Sequence, residues 1–212
     1  MPQIQFHMPA AQHGRAFTLL LWRMTESEEE LLSLFPELEA LSAEYQAYKS
    51  ASRRLEYLSV RALLYCYFGC VPAVRHTPEG RPFLDSGMNI SVSHTKGYCT
   101  VILSLSHNVA VDIEYRSDRV LRIADRFLRA DEILPTVEEK LVAWCAKETL
   151  YKLHSADRLS FWDMRIRQME GRQDSETDGK FLIDNLKRGT SAEIEYLTTE
   201  DYILTYAVEE II

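Results

Sequence analysis

The sequence that decides the fold lies in two segments, Ala110-Val111-Asp112-Ile113-Glu114 and Trp144-Cys145-Ala146-Lys147-Glu148-Thr149-Leu150-Tyr151-Lys152. In the first segment apolar residues alternate with two acids, and this period predicts a strand that carries Asp112 and Glu114 on one face. Two carboxylates held side by side repel each other unless a proton, a cationic side chain or a divalent ion relieves the repulsion. Hard oxygen ligands suit Mg²⁺, so the segment predicts a magnesium site.

The second segment has helical spacing. Trp144, Glu148 and Lys152 recur every four residues and therefore share one face of a predicted helix. Glu148 supplies a third carboxylate, and three acids with a lysine suit the metal-assisted transfer of a phosphate group. Two plainer interpretations stay open: Glu148 and Lys152 form a solvated ion pair, and the acids of the first segment mark an exposed strand edge.

The composition is that of an ordinary globular protein. At 212 residues, 46% of them hydrophobic, the chain can bury a core as one large domain or as two compact halves. No apolar run approaches the ~18 residues of a membrane helix and the start lacks a signal-peptide layout, so a cytoplasmic location is expected. The four cysteines form no CxxC arrangement, and Cys66 and Cys70 are interpreted as buried thiols in preference to metal ligands.

The net charge of −8 argues against nucleic acid as the main partner, because a phosphate backbone requires a basic surface. Residues 1–106 hold 9 basic and 10 acidic side chains, whereas residues 107–212 hold 15 and 22. Anion-binding residues are therefore expected first in the N-terminal half.

Periodicity predicts a mixture of helices and strands. Thr25 and Glu28 form a predicted capping box for a short helix that ends before Pro36. Residues 37–68 have a long helical pattern that can break once near 48–51. Strands are predicted at 17–22, 90–94, 98–106 and around Asp112, helices at 117–129 and 136–153, and further strands from 161 onward, separated by a polar loop at 171–179.

A weak internal repeat appears when the halves are aligned. Residues 60–65 fall on 146–151, residues 80–84 on 179–182, and residues 98–105 on 202–209. Each half is then a helix followed by a small antiparallel β-meander. This predicts an α+β fold of two pseudo-symmetric halves, residues 1–106 and 107–212, with an active site in the cleft between them.

Basic residues of the first half form two candidate anion sites. Arg54 and Arg61 lie seven residues apart on one predicted helical face with Arg53 adjoining, which suits bidentate phosphate binding or, alternatively, a solvated basic face. The second candidate runs from Arg81, in Gly80-Arg81-Pro82, to a strand end that carries Ser93, His94 and Lys96 before a glycine. Hydroxyl, imidazole and ammonium groups together can satisfy a phosphate.

The order of these motifs resembles the 4′-phosphopantetheinyl transferase superfamily, in the single-chain, surfactin-synthetase-activating type that serves nonribosomal peptide and fatty acid synthases. The resemblance covers roughly half of the chain, about residues 50–160. It rests on RRLEYLSVR at 53–61, GRP at 80–82, VSHT at 92–95, AVDIE at 110–114 and WCAKETLYK at 144–152.

The resemblance implies two α+β halves with coenzyme A in the cleft between them. It implies that Asp112, Glu114 and Glu148 surround Mg²⁺ and that Lys147 and Lys152 lie near the phosphates. At the 3′-phosphoadenosine end it implies Arg53 or Arg54 with Ser93 and His94, and Arg61 and Arg81 join the expected coenzyme-binding residues. One departure concerns residues 153–158, where the family has a glycine-containing basic turn and this chain has no glycine; Arg158 is expected to replace the usual lysine.

The implied function is transfer of the 4′-phosphopantetheine arm of coenzyme A to a serine of an apo acyl or peptidyl carrier protein, with release of adenosine 3′,5′-bisphosphate. Asp112, Glu148 and Lys152 are the expected catalytic residues, in a monomer without nucleic-acid or membrane partners. Two rivals stay open: a module that binds coenzyme A or a carrier protein without turnover, and a Mg²⁺-dependent nucleotide phosphohydrolase.

A docking surface for the acidic carrier protein is expected on the predicted helix 117–129. The spacing of its arginines places them in one stripe opposite an apolar face. The alternative is pairing within the helix, Asp118 with Arg122 and Asp125 with Arg129. The stripe consists of Arg119, Arg122, Arg126 and Arg129.

Overall fold

The computed structural model describes residues 3–7, 17–167 and 178–211. Within these ranges the α-helices are α1 (Glu28–Leu34), α2 (Ser42–Tyr45), α3 (Ala51–Phe68), α4 (Ala124–Phe127) and α5 (Val137–Leu153). Short 3₁₀ segments span Pro36–Leu41, Asp118–Arg122, Ser155–Asp157 and Phe161–Asp163.

The first unit is an antiparallel sheet covered by one long helix. Its six strands are β1 (Gln3–His7), β2 (Thr18–Arg23), β3 (Val74–His76), β4 (Pro82–Leu84), β5 (Asn89–Thr95) and β6 (Tyr98–Ser104), in the spatial order β1-β2-β6-β5-β4-β3. Leu58 and Leu63 of α3 belong to one apolar core with Trp22 and Val101 of the sheet. The helix ends at Gly69, whose φ of 71° is a left-handed conformation that glycine adopts without strain.

The second unit repeats this design. Its antiparallel sheet contains β7 (His107–Tyr115), β8 (Met164–Ile166), β9 (Asp178–Asn185), β10 (Thr190–Thr198) and β11 (Tyr202–Glu210), in the order β7-β11-β10-β9-β8. A reciprocal capping box of Thr136 and Glu139 begins α5. Val142 and Ala146 of this helix share an apolar core with Ile203, so the sheet holds α5 in a fixed orientation.

The two sheets pack against each other through a third apolar cluster. Leu19 and Ile102 of the first sheet and Val111 and Leu204 of the second are buried in it. This packing brings β5 of the first sheet beside β7 of the second. A cleft lined by residues of both units, among them Ser91 of β5 and Val109 of β7, opens at this boundary.

The α+β fold class predicted from the sequence is confirmed, with an antiparallel sheet and a long helix in each unit. The predicted break in 37–68 falls between α2 and α3. The first capping box is displaced from the predicted one: Ser27 and Glu30 form it, because the helix begins two residues later than the Thr25 pattern indicated. The division into domains at residue 106 stays a prediction.

The single helix predicted for 117–129 is wrong. The chain forms a 3₁₀ segment, then α4, with Ile123 between them at φ −120° and ψ 1°. Val120 and Phe127 are nevertheless both buried in the core of the second unit, as the apolar face of the predicted helix requires. The predicted loop 171–179 lies almost wholly outside the described residues.

Two further findings concern single predictions. Cys70 is exposed, so its interpretation as a buried thiol is wrong, because it follows the end of α3 and does not face the core. In the described ranges no helix is long and apolar enough to cross a membrane.

Candidate active site

Asp112 lies on β7 at the boundary between the two units. It is 5% exposed, and its Oδ1 accepts hydrogen bonds from Ser93 Oγ and Lys152 Nζ, each at 2.7 Å. Its Oδ2 is buried and has no hydrogen-bond partner within the part of the chain that the structure describes. A buried carboxylate oxygen without a partner is costly, so a cation or a donor from a ligand would be stabilised here.

Glu114 and Glu148 lie near Asp112 and respond to its charge. Burial, followed by the charge of Asp112, raises the pKa of Glu114 to about 7, although Trp144 Nε1 donates a hydrogen bond to Glu114 Oε1 at 2.8 Å. Burial and the charge of Asp112 also raise the pKa of Glu148. The three carboxylates thus repel one another across β7 and α5.

Lys152 reaches the same site from α5. Besides Asp112, its Nζ donates to Val111 O at 3.0 Å and to Val92 O at 3.3 Å. These acceptors belong to β5 and β7, so the ammonium group joins the two units at the acid site. The ion pair that Lys152 forms is with Asp112, which departs from the interpretation as a solvated pair with Glu148.

Ser93 and His94 point to opposite sides of β5. Ser93 faces β7 and donates its hydroxyl proton to Asp112, whereas His94 Nε2 lies 2.9 Å from Arg53 Nη1 on α3. Successive side chains of a strand alternate between its faces, so the two side chains face different regions of the protein. The structure places Ser93 at the acid site, and its expected role at the 3′-phosphate stays a prediction.

A cavity of about 270 Å³ opens between α3 and β5. Its walls carry Arg53, Arg61, His94 and His76. Arg61 is 7% exposed, and its guanidinium lies 4.4 Å from the centre of the Tyr57 ring. Two guanidinium groups and two imidazoles favour an anionic ligand. His76 was missed from the sequence because no spacing pattern connects it with α3.

One acid also lines this cavity. Glu56 Oε2 lies 2.7 Å from Arg53 Nη1 and 3.6 Å from His94 Nδ1. Burial lowers the pKa of His94 even though the charge of Glu56 opposes the shift. His94 therefore gains a proton more readily when an anion enters the cavity.

Arg54 has a structural role, contrary to the expectation that it binds coenzyme A. Its Nε donates to Glu28 at 2.8 Å, and its Nη1 donates to Tyr48 O at 3.1 Å. These contacts hold the start of α3 against α1. The helical spacing was read correctly, but it could not show that Glu28 would neutralise this guanidinium.

Arg81 lines a second cavity, of about 170 Å³, that also contains Lys152 and Tyr151. The two cavities share Gly80 and Pro82 in their walls, so they adjoin. Arg81 Nη2 donates to Asn108 Oδ1 at 3.5 Å, and burial lowers the pKa of its guanidinium. A basic path therefore leads from the first cavity to the acid site.

Lys147 does not reach the cleft, contrary to what the family resemblance implied. Its side chain is 0% exposed, and its Nζ donates to Glu132 Oε2 at 2.7 Å, to Phe127 O at 2.8 Å and to Phe161 O at 3.4 Å. Every proton of the ammonium group is used inside the protein. Position 147 lies on a different face of α5 from position 152, because five residues turn a helix by about 140° beyond one full turn.

The turn at 153–158 is held by a polar network in place of a glycine. Arg158 has φ 50°, the one positive φ among the described residues other than glycine. Lys187 Nζ donates to Arg158 O at 2.9 Å, and Asn185 Nδ2 donates to Asp157 Oδ2 at 2.8 Å. Such contacts can hold a left-handed residue that costs of order 1–3 kcal/mol. The expectation that Arg158 replaces a family lysine stays a prediction.

The four arginines predicted as one stripe have separate environments. Arg119 lies 5.9 Å from the centre of the Tyr115 ring, and Arg129 pairs with Asp131 at 2.9 Å. Arg122 and Arg126 are exposed and form no ion pair with another described residue. The broken helix explains why the four do not share a single helical face, and the predicted pair of Asp125 with Arg129 is not formed.

The donors of the acid site decide whether it fits Mg²⁺. Among the described residues no three acidic, histidine or cysteine side chains are close enough to form a ready metal cluster. The unpartnered Oδ2 of Asp112 and the raised pKa values of Glu114 and Glu148 nevertheless fit a divalent cation. A cation would remove the repulsion that these oxygens now experience.

A comparison with protein families finds one match, which lies in the second unit. Residues 108–207 match the model of the 4′-phosphopantetheinyl transferase superfamily. The matched region contains the acids of β7 and most of the second sheet, and it includes all of α5. The resemblance seen in the motifs is thereby confirmed for this region, and phosphopantetheine transfer is supported in general terms.

The match covers slightly less than half of the chain. No curated protein matches the sequence. The single-chain, surfactin-synthetase-activating type therefore remains a prediction.

Proposed function

We propose that this protein transfers the 4′-phosphopantetheine group of coenzyme A to a serine of an apo acyl or peptidyl carrier protein. The observation that carries the proposal is Asp112, whose Oδ1 is bonded by Lys152 and Ser93 while its buried Oδ2 has no partner. An anionic pyrophosphate with a divalent cation would satisfy both the basic path and the acids. The second product is adenosine 3′,5′-bisphosphate.

Mg²⁺ fits the donor set and would be held by Asp112, Glu114 and Glu148. When bound, it would neutralise charge that develops on the pyrophosphate oxygens during transfer. Trp144 would orient Glu114 for this task through the bond from Nε1.

Coenzyme A would lie along the cleft with its 3′-phosphate in the 270 Å³ cavity. Arg53, Arg61 and His94 would hold that phosphate by charge-assisted hydrogen bonds. Arg81, in the adjoining cavity, would contact the middle of the coenzyme and direct its pyrophosphate toward Lys152.

Glu148 would take the proton from the acceptor serine. Its place on α5 would let it reach past the cation to the acceptor serine, which suits general base catalysis by a carboxylate. The serine oxygen then forms a bond to the phosphorus that carries pantetheine, and the bond from that phosphorus to the bridging oxygen breaks. The nucleotide leaves with the electron pair of that bond.

Lys152 would stabilise the transferred phosphoryl group. Its ammonium group spends its protons on Asp112, Val111 O and Val92 O. Reaching a phosphoryl oxygen requires the exchange of one of these contacts, and a flexible side chain permits it. The new contact with the phosphoryl oxygen would be strongest in the transition state, because negative charge develops there.

The proposal is tested by incubating the protein with Mg²⁺, coenzyme A and an apo carrier protein, followed by intact-mass measurement of the carrier. We expect a mass gain of one phosphopantetheine arm on its serine, together with adenosine 3′,5′-bisphosphate. A carrier whose serine is replaced by alanine is the control. Coenzyme A bound without a mass gain would support the binding module, and phosphate released without an acceptor would support the phosphohydrolase.

A further inference from the structure

A row of polar side chains on β5 connects the first unit to β7. Asn89 Nδ2 donates to His107 O at 3.0 Å, and Ser91 Oγ accepts from Val111 N at 3.2 Å. Thr95 Oγ1 likewise accepts from Tyr115 N at 3.0 Å. These contacts substitute for a backbone ladder, because β7 pairs in its own sheet with β11 alone.

Ser93 is the third residue of this row and forms a different kind of contact. Its neighbours on the row bond the backbone of β7, whereas Ser93 Oγ donates to a side chain, Asp112 Oδ1, at 2.7 Å. Ser93 is 8% exposed and Asp112 is 5% exposed, so water competes little for this bond. The contact has the short length of a charge-assisted O–H···O⁻ bond.

Two donors on one carboxylate oxygen determine what the other oxygen can do. Ser93 and Lys152 approach Asp112 Oδ1 from different units, so rotation of the carboxylate would break both bonds. Lys152 alone would hold the group through a flexible stem, whereas a hydroxyl on a strand is fixed by χ1. Oδ2 is thereby left without a protein donor.

We propose that Ser93 is a positioning residue that fixes Asp112 so that Oδ2 is presented to the divalent cation. The proposal rests on the proposed function, because it assumes a cation at this site. It gives Ser93 a task distinct from coenzyme binding. Partners that orient a metal-ligating carboxylate typically change metal affinity by about 10–100-fold when removed.

The test measures metal binding directly. Free Mn²⁺ is followed by electron paramagnetic resonance during titration of the protein with saturating coenzyme A and no carrier protein, so that no turnover occurs. We expect Ser93→Ala to weaken Mn²⁺ binding about 10–100-fold and Ser93→Thr, which keeps the hydroxyl, to restore most of the affinity. Coenzyme A affinity in EDTA should be unchanged in both variants.

Ser91→Ala is the matched control, since Ser91 lies on the same row and bonds only backbone. It should bind Mn²⁺ like the wild type. Ser93→Cys, a similar volume with a weak donor, provides the measurement if Ser93→Ala does not fold, and it should show the same loss.

Three outcomes would overturn the inference. Unchanged Mn²⁺ binding in Ser93→Ala, with weaker coenzyme A binding in EDTA, would show that Ser93 binds the coenzyme and does not position Asp112. An equal loss in Ser91→Ala would assign the effect to the row as a whole. Absence of Mn²⁺ binding by the wild-type protein would refute both this inference and the metal role in the proposed function, whereas the first two outcomes leave that role intact.

Discussion

Two lysines of the motif at 144–152 lie on the same helix and have opposite environments. Lys147 is completely buried and bonded to Glu132 and two carbonyl oxygens, whereas Lys152 lies in the cleft on Asp112. The angle between their positions on α5 decides which one meets the core. The comparison teaches that one short motif supports both the fold and the chemistry.

The two regions around these lysines also differ in how their charges are satisfied. At Lys147 each donor meets an acceptor, and Glu132 Oε1 additionally accepts from Ile166 N at 2.7 Å. At Lys152 the neighbouring acids repel one another and Asp112 Oδ2 has no described partner. A region whose charged groups all have partners within the protein is typical of a structural role. A region whose charged groups repel one another or have no described partner is typical of a binding site.

The largest expected effect tests the unsatisfied region. Asp112→Ala or Glu148→Gln should lower turnover at least about 10²–10³-fold, because each removes stabilisation of charge in the transition state. The urea midpoint of Glu148→Gln should change little, since the wild-type acids repel one another. Transfer is measured by intact mass and unfolding by circular dichroism.

Glu200→Gln, at an exposed position away from the cleft, is the matched control and should retain wild-type turnover. Removal of divalent ions with EDTA should abolish transfer in the wild type and Mg²⁺ should restore it. Full turnover in EDTA would exclude the metal role.

The next effect tests the satisfied region. Lys147→Met should destabilise the protein by about 3–5 kcal/mol, because it leaves Glu132 as an uncompensated buried charge. Burial lowers the pKa of Lys147 because it disfavours the charged ammonium group, and the hydrogen bond with Glu132 opposes that shift. Urea unfolding measures the change.

A Lys147→Met, Glu132→Gln double variant should recover part of this loss, since the charge is then gone. The Michaelis constant for coenzyme A of the folded Lys147→Met protein should equal that of the wild type. A higher constant without loss of stability would place Lys147 back at the phosphates.

The sequence predicted those features that depend on local periodicity. Alternation on β7 and four-residue spacing on α5 predicted that Asp112, Glu148 and Lys152 belong to one region. The hydrogen bond from Lys152 to Asp112 and the effect of Asp112 on the pKa of Glu148 agree with this prediction. The α+β class followed from the same periodicities. The helical pattern predicted for 37–68 ends at the same residue as α3.

The features that depend on distant partners could not be predicted. Glu28 neutralises Arg54, and Glu132 neutralises Lys147, over separations that carry no periodic signal. Ser93 and His94 were grouped because they are adjacent, although a strand places adjacent side chains on opposite faces. The helix predicted at 117–129 is interrupted at Ile123, whose ψ of 1° is not signalled by the periodic pattern.

A smaller effect tests the basic cavity that serves the Lys152 region. His94→Gln should weaken coenzyme A binding by about 1.5–3 kcal/mol, the usual range for a charged hydrogen bond, and should barely affect dephospho-coenzyme A. Calorimetry with both ligands measures the difference. Equal losses would show that His94 does not contact the 3′-phosphate.

The same residue predicts a pH dependence. Burial holds the pKa of free His94 below 6.5, and a bound phosphate would raise it, so binding takes up a proton and strengthens as pH falls through that range. Glu56 and Arg53 face the imidazole, and their charges act on the pKa of His94 in the free and in the phosphate-bound protein alike. Relative to dephospho-coenzyme A, this dependence should be lost in His94→Gln; its persistence would assign the proton to another group.

The smallest effect extends the comparison to the surface outside the cleft. Arg122 and Arg126 are exposed and unpaired among the described residues, as a docking surface requires, while Arg129 is paired with Asp131. Carrier proteins are typically acidic, so these two charges would speed encounter on an otherwise acidic unit. Arg122→Glu with Arg126→Glu should raise the Michaelis constant for the carrier protein several-fold, flatten its salt dependence and leave that for coenzyme A unchanged.

Arg75→Glu with Lys180→Glu gives the matched control, because it makes the same change in net charge at exposed positions outside the proposed docking surface. Those residues form surface ion pairs, whose loss costs little stability. If the control raised the carrier constant equally, net charge rather than docking would explain the result. If neither variant changed carrier kinetics, Arg122 and Arg126 would be solvated side chains without a role in docking. Carrier binding would then be confined to the cleft that contains Lys152.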